Sequence, residues 1–358
     1  MRTSRLTRGT ARKSRRAALL ALPVALVTTL TASGTAHAEG EGPAAAYSAT
    51  TSVGVHNAYE QAKYPYLADA LDSGAGLLEI DVWTNSLGGP WRVAHSNPLG
   101  NASNCENAQS PAELRTKPRN QGLAGCLADL RAWHDAHPGH RPIMLKIEMK
   151  DGFNDRGGRG PDEFDALVGQ ALGDAVFRPA DLVGGHATLD EAVRATGWPG
   201  RDALAGKFIL ELIPGTVEES NPFDSLWTDR EYANRLRDLA AAGRLRQATA
   251  FPAVHKAEAG DPRVTRYADA SIRPWFVVFD GDASAYVANG IDTAWYDQRH
   301  YLLVMTDAHG VAPAIDGTRP TESEARARAE LLARNHASVL TADWYPLPAV
   351  LGSVLPRG

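Results

Sequence analysis

Short apolar runs alternate with longer amphipathic stretches along most of this chain. Leu77-Leu78-Glu79-Ile80-Asp81-Val82-Trp83 is the most telling run, bounded by Gly74 and Gly76 on one side and Asn85 on the other. It is too short for an ordinary helix and reads as a buried strand. Comparable runs predict strands over Ser52–Val55, Ile143–Met149, Lys207–Ile213, Ala248–Phe251, Trp275–Phe279, Tyr301–Thr306 and Ser338–Ala342. Trp91–His95 alternates apolar and polar positions and predicts a hairpin partner for the Glu79/Asp81 strand. Between these runs, helical spacing predicts helices over Lys63–Ser73, Leu123–His137, Pro161–Leu172, Thr188–Ala195, Glu231–Ala242 and Glu322–Asn335. Pro98–Gln121 has no apolar periodicity and reads as a loop. Eight strands mostly separated by helices predict an α/β protein, a closed (β/α)8 TIM-type barrel in a single domain.

The first 38 residues follow a different rule. Arg2, Arg5, Arg8, Arg12, Lys13, Arg15 and Arg16 form a basic head, an apolar run spans Ala17 to Leu30, and Ala36-His37-Ala38 is a small-residue cleavage pattern. This predicts a secretory signal peptide over 1–38, cut near Ala38, then a flexible leader over 39–51 and the barrel over 52–358. Ser14-Arg15-Arg16 also suits twin-arginine export. No later segment has the roughly 18 to 20 apolar residues of a transmembrane helix. Removing the signal takes seven of the 37 Lys and Arg and none of the 42 Asp and Glu, which leaves a formal net charge of −12. That balance argues against nucleic acid as a partner and disfavours charge-driven adhesion to anionic membranes. It suits a cation site. Outside the cytoplasm the two cysteines, Cys105 and Cys126, are expected to form a disulfide, worth about 3 kcal/mol.

The candidate chemistry sits at strand ends. Glu79 and Asp81 are two apart, so in a strand both side chains face the same way, and two buried carboxylates need a cation or donors to compensate them. In such a barrel the active site gathers at the carboxyl ends of the strands. His56 and Asn57 end the first strand, His95 ends the hairpin, and Glu148 ends the third strand, within Lys146-Ile147-Glu148-Met149-Lys150. Asn57, Glu79, Asp81 and Glu148 offer hard oxygens of the kind Ca²⁺ prefers. Two histidines can serve as base and acid about a phosphorus centre. His134, His137 and His140 have metal-like spacing but straddle a helix end, and are read as solvated surface. His309 follows a late strand and is left without a role.

His56-Asn57-Ala58-Tyr59, Leu78-Glu79-Ile80-Asp81-Val82-Trp83, Arg92-Val93-Ala94-His95 and Lys146-Ile147-Glu148 resemble, in that order, the site motifs of calcium-dependent phosphoinositide-specific phospholipase C. The mature chain is similar to the secreted actinobacterial members of that family. The resemblance implies His56 and His95 as catalytic histidines and Asn57, Glu79, Asp81 and Glu148 as Ca²⁺ ligands. It implies a phospholipid substrate met by transient contact with a membrane surface. The inositol 2-hydroxyl would attack the phosphodiester to release diacylglycerol and a cyclic inositol phosphate. His56 is read as base and His95 as acid, with Glu79 the other candidate for the proton. Lys146 and Lys150 are placed to touch phosphate or to pair with Glu148 or Glu211. Gly206-Lys207-Phe208-Ile209-Leu210-Glu211 resembles the strand on which eukaryotic members hold ring phosphates with a lysine, and Glu211 in that place implies a preference for unphosphorylated phosphatidylinositol. A glycerophosphodiester phosphodiesterase shares the barrel and the Glu-x-Asp strand, but typically has His-Arg-Gly where this chain has His56-Asn57-Ala58. A non-catalytic secreted ligand-binding barrel is the reading from another class.

Overall fold

The computed structural model describes residues 45–84, 89–288 and 290–358, so the predicted signal peptide and residues 39–44 of the leader lie outside the described residues. Ten strands lie among the described residues: β1 Thr50–Val55, β2 Leu77–Trp83, β3 Arg92–Val93, β4 Ile143–Met149, β5 Phe208–Pro214, β6 Ala250–His255, β7 Val278–Asp282, β8 Leu302–Thr306, β9 Val339–Ala342 and β10 Val354–Pro356. Eight of them run parallel in the order β1-β2-β4-β5-β6-β7-β8-β9, and β9 pairs with β1 to close the barrel. The edge of β2 is shared, with Leu77 and Leu78 pairing with β1 while Val82 and Trp83 pair antiparallel with β3. Gly54 permits the β1–β2 contact, because a Cβ there would come within 2.7 Å of the Leu77 Cβ.

Each parallel strand is covered by helices outside and by its neighbours' side chains inside, which is why β2 and β5 are buried along their whole length. The predicted helices are found at Leu67–Asp72, Leu123–Ala136, Pro161–Leu172, Leu189–Thr196, Thr228–Ala241 and Glu322–Arg334. The first starts later than Lys63 because Pro65 biases Tyr64 away from helical backbone. The last is fixed by a capping box in which Thr321 Oγ1 accepts from the Glu324 N–H and Glu324 Oε2 accepts from the Thr321 N–H, an arrangement worth about 1 kcal/mol.

Two segments are more ordered than composition suggests. Tyr47–Ala49, counted with the leader, is a 3₁₀ turn whose Tyr47 ring is buried against Trp198. The loop over 98–121 is bound to helix Leu123–Ala136 by the Cys105–Cys126 disulfide. Beside it, Asp129 of that helix accepts the N–H groups of Glu106 and Ala108, each at 2.7 Å. No helix among the described residues is long and apolar enough to cross a membrane.

Candidate active site

At the carboxyl ends of the strands a cleft of about 140 Å³ takes lining residues from all eight barrel strands or the turns that follow them. Its reactive groups are His56, Glu79, Lys146, Glu148, His255 and Asp280. A larger hollow of about 530 Å³ lies between helices Pro161–Leu172 and Thr228–Ala241, but its Asp162, Asp165 and Arg235 already pair with one another.

Register explains how the acids meet. Asp81 of β2 is paired with Glu148 of β4, and Glu79 with Lys146, so four charged residues point inward in two adjacent layers. Glu79, Asp81 and Glu148 each bring a carboxylate oxygen within 4.8 Å of the others. Asn57 joins them from the turn after β1. Its backbone is left-handed, φ 50°, a conformation asparagine tolerates better than most residues, and the next N–H, of Ala58, bonds to the Glu79 carbonyl at 3.1 Å.

The cluster is short of positive charge. Lys150 Nζ lies 2.6 Å from Glu148 Oε1 and 3.4 Å from Asp81 Oδ2. Lys146 Nζ lies 2.9 Å from Asp280 Oδ2 and 3.8 Å from Glu79 Oε1. Burial, followed by the charges of Glu148 and Glu79, holds the Asp81 carboxyl well above its usual range. Burial works against the charge of Lys146, yet Asp280, Glu79 and Glu211 raise its proton affinity overall. Four oxygens, Asn57 Oδ1, Glu79 Oε2 and both of Asp81, are buried without a hydrogen-bond partner. Unpartnered oxygens of this kind are costly, and a hard cation removes the cost. The donor set therefore fits Ca²⁺: three carboxylates and an amide oxygen.

His56 stands at the rim, and its Nδ1 lies 3.2 Å from Asp343 Oδ1. Burial lowers the proton affinity of the ring, but the Asp343 bond and the charge of Glu79 raise it above the usual value overall. Lys63 Nζ holds Asp343 Oδ1 and the His56 carbonyl, each at 2.7 Å. His95 is exposed. Its chain segment is tied beside the acids, since the Ala94 N–H bonds to the Asp81 carbonyl at 3.2 Å and Trp83 Nε1 donates to the Ala94 carbonyl at 2.8 Å.

The structure thus brings His56, Asn57, Glu79, Asp81, Glu148, Lys146 and Lys150 to one mouth. Glu211, registered against Lys146 on the next strand, is wholly enclosed and does not line the cleft. His309 is not among the lining residues either; Thr306 and Asp307 take the β8 position. Sequence reasoning missed Asp343, Lys63, Asp280 and His255. His255 lines the cleft, with Nδ1 3.0 Å from Glu219 Oε1 and Nε2 3.9 Å from Asp280 Oδ1. Looking one or two positions beyond each apolar run finds Asp280 and Asp343, but neither His255 nor Lys63.

A closed parallel barrel whose mouth joins a three-carboxylate cluster to a histidine–aspartate pair defines a barrel phosphodiesterase with a metal-assisted site. The family model for Ca²⁺-dependent phosphoinositide phospholipase C matches residues 37–225, and the chain belongs to that family. It is 71% identical to a Ca²⁺-dependent phosphatidylinositol-specific phospholipase C from Streptomyces antibioticus, over 88% of this chain and 100% of that one, with a TM-score of 0.87. A calcium-dependent phosphoinositol-specific phospholipase C from a Pseudomonas species has the same fold, at 22% identity and a TM-score of 0.63, over 88% of this chain and 100% of that one. No curated protein matches the chain.

Proposed function

We propose that the chain is a secreted Ca²⁺-dependent phospholipase C that cleaves phosphatidylinositol to diacylglycerol and a cyclic inositol phosphate. The observation that carries this reading is the join of the Glu79/Asp81/Glu148 cluster and the unpartnered Asn57 amide oxygen to the His56–Asp343 pair at one mouth. Ca²⁺ held by Asn57, Glu79, Asp81 and Glu148 would neutralise the acids and a phosphate oxygen and acidify a nearby hydroxyl. The chain's own groups then divide the proton work. Asp343 accepts from His56 Nδ1–H, which leaves Nε2 with its lone pair to take the proton from the inositol 2-hydroxyl. His95 gives a proton to the departing diacylglycerol oxygen. Lys150 sits beside the phosphate position, and Lys146 steadies Glu79 and Asp280.

Membrane contact is part of the proposal. The loops that follow β5 and β6, on the cleft side, expose Val217, Phe223, Leu226 and Val264, with Phe223 95% exposed. An apolar rim there seats on lipid without help from net charge. Secretion is supported by the basic and apolar pattern of residues 1–38 and by the disulfide.

The test is ³¹P NMR of the mature protein on phosphatidylinositol vesicles, with Ca²⁺ and with chelator. A cyclic phosphodiester signal that appears only with Ca²⁺ is expected. Full turnover in chelator, or turnover of glycerophosphodiesters alone, overturns the reading.

A further inference from the structure

Three histidines that take no part in the cleft gather at the opposite face of the barrel, where helix Leu123–Ala136 ends and the chain turns into β4. His134 Nδ1 and His140 Nε2 stand 3.1 Å apart, with their ring planes at 85°. His140 Nδ1 lies 2.6 Å from the Arg141 carbonyl, which can only accept, so Nδ1 carries the proton and Nε2 keeps its lone pair. His137 is set in the same way: Nδ1 donates to the Trp133 carbonyl at 2.9 Å, and its ring stacks on the Trp133 indole. A ring nitrogen pinned to a carbonyl is the arrangement that orients metal-bound imidazoles. In the metal-free chain His134 Nδ1–H therefore donates to His140 Nε2; His134 has no other side-chain hydrogen bond among the described residues, so an incoming ion can take the place of that proton, with His134 protonated on Nε2 instead. Partial burial lowers the proton affinity of both His134 and His140, which favours the neutral, metal-binding form. With the two nitrogens 3.1 Å apart, an ion at the usual metal–imidazole distance of about 2.0–2.1 Å from each would subtend an angle of roughly 100°.

We propose that His134 and His140 form a chelating pair for a divalent late transition-metal ion, Cu²⁺ ahead of Ni²⁺ and Zn²⁺, at the barrel face remote from the cleft. Imidazole nitrogen suits these ions, whereas Ca²⁺ takes oxygen, so the two metal sites separate by ligand chemistry. His137 does not complete a three-residue set: among the described residues, only Glu79, Asp81 and Glu148 bring three ligand atoms together. Water fills the other positions, and binding is that of a two-point site. The bound ion staples the last turn of helix Leu123–Ala136 to the turn entering β4, the strand that carries Glu148, and stabilises the folded chain by mass action.

The test uses the mature protein with Ca²⁺ in excess, so that the carboxylate cluster is filled, and Cu²⁺ as the probe. One equivalent should give an electron paramagnetic resonance spectrum with coupling to two nitrogens. It should also raise Tm and quench Trp133, whose ring centre is 5.0 Å from that of His140. His140→Gln should weaken Cu²⁺ binding at least tenfold and remove the two-nitrogen pattern, with Ca²⁺-dependent phosphodiesterase activity unchanged. Trp133→Phe should keep that pattern and lose the quenching. His134→Gln, checked for folding by circular dichroism, is the independent second variant. Unchanged copper affinity and spectrum in both histidine variants would place the ion elsewhere and overturn the proposal.

Discussion

His56 Nδ1 and Asp343 Oδ1 lie 3.2 Å apart although 287 positions separate them in the chain. Barrel closure makes the contact. Val55 is registered against Ala342 in the β1–β9 pair, so the next residue on each strand emerges at the same height. Asp343→Asn keeps the shape but lets the amide present its nitrogen and favour the wrong imidazole tautomer. We expect kcat on phosphatidylinositol to fall by about 10²–10⁴ with little change in KM. Steady-state kinetics over a series of vesicle concentrations would show it, and an unchanged kcat would remove Asp343 from the site.

Asp81 offers a test of the cation site that does not depend on turnover. Its side chain is fully buried beside Glu79 and Glu148, and Lys150, 3.4 Å from Oδ2 and closer to Glu148, is its cationic neighbour. Asp81→Asn removes one of three crowded acids, so in chelator the variant should melt no lower than the wild type. In Ca²⁺ the order should reverse, because the wild type gains more from binding. The Ca²⁺ half-saturation constant should rise by roughly tenfold or more. Thermal melts with Ca²⁺ and with chelator read both effects, and a variant less stable in chelator as well would argue for a purely structural Asp81.

The first half of the chain announces its site and the second half conceals it, for reasons visible at single residues. Glu79 and Asp81 betray themselves as acids inside an apolar run. The pattern of β6 breaks at Pro252, yet the strand runs on to His255, because Pro252 still fits the ladder opposite Leu212. At β7 the apolar run begins in a 3₁₀ turn, Arg273–Trp275, so the strand starts at Val278 and carries Asp280 within it. At β9 the apolar run stops at Ala342, one residue before Asp343. Parity places Glu211 on the inner face correctly, but parity has no depth. Ile213, two residues on, lines the cleft, and Glu211 lies beneath it. Lys63 belongs to a turn and reaches Asp343 only in three dimensions.

The acid role of His95 has its own signature. A protonated imidazole matters when the leaving group is a poor one, such as diacylglycerol, and matters little for an activated phenol. His95→Ala should lose about 10²–10⁴ in rate on phosphatidylinositol and less than about tenfold on a nitrophenyl inositol phosphate. His56→Ala should be damaged on both. Equal losses for His95→Ala on the two substrates would exclude proton donation by this residue.

A last expectation concerns pH and a carboxyl outside the catalytic cluster. Glu218 is 1% exposed; its Oε1 accepts the Thr228 N–H at 2.7 Å at the start of helix Thr228–Ala241, and its Oε2 has no partner. Burial above all, with smaller pushes from Asp224 and Asp229, raises its pKa from the usual 4.5 to about 9. The folded protein therefore keeps a proton that the unfolded chain releases above about pH 4.5. Stability from this group is full below that point and is lost as pH climbs toward 9, at up to about 1.4 kcal/mol per pH unit. Glu218→Gln preserves the acceptor for Thr228 and cannot ionise. Wild type and variant should melt together near pH 5, and the variant should gain by several degrees as pH approaches 9. Melting curves in Ca²⁺-saturated buffers from pH 5 to 9 would decide it: parallel dependence in the two proteins would mean that Glu218 is ionised in the fold and that its buried oxygen has found another partner.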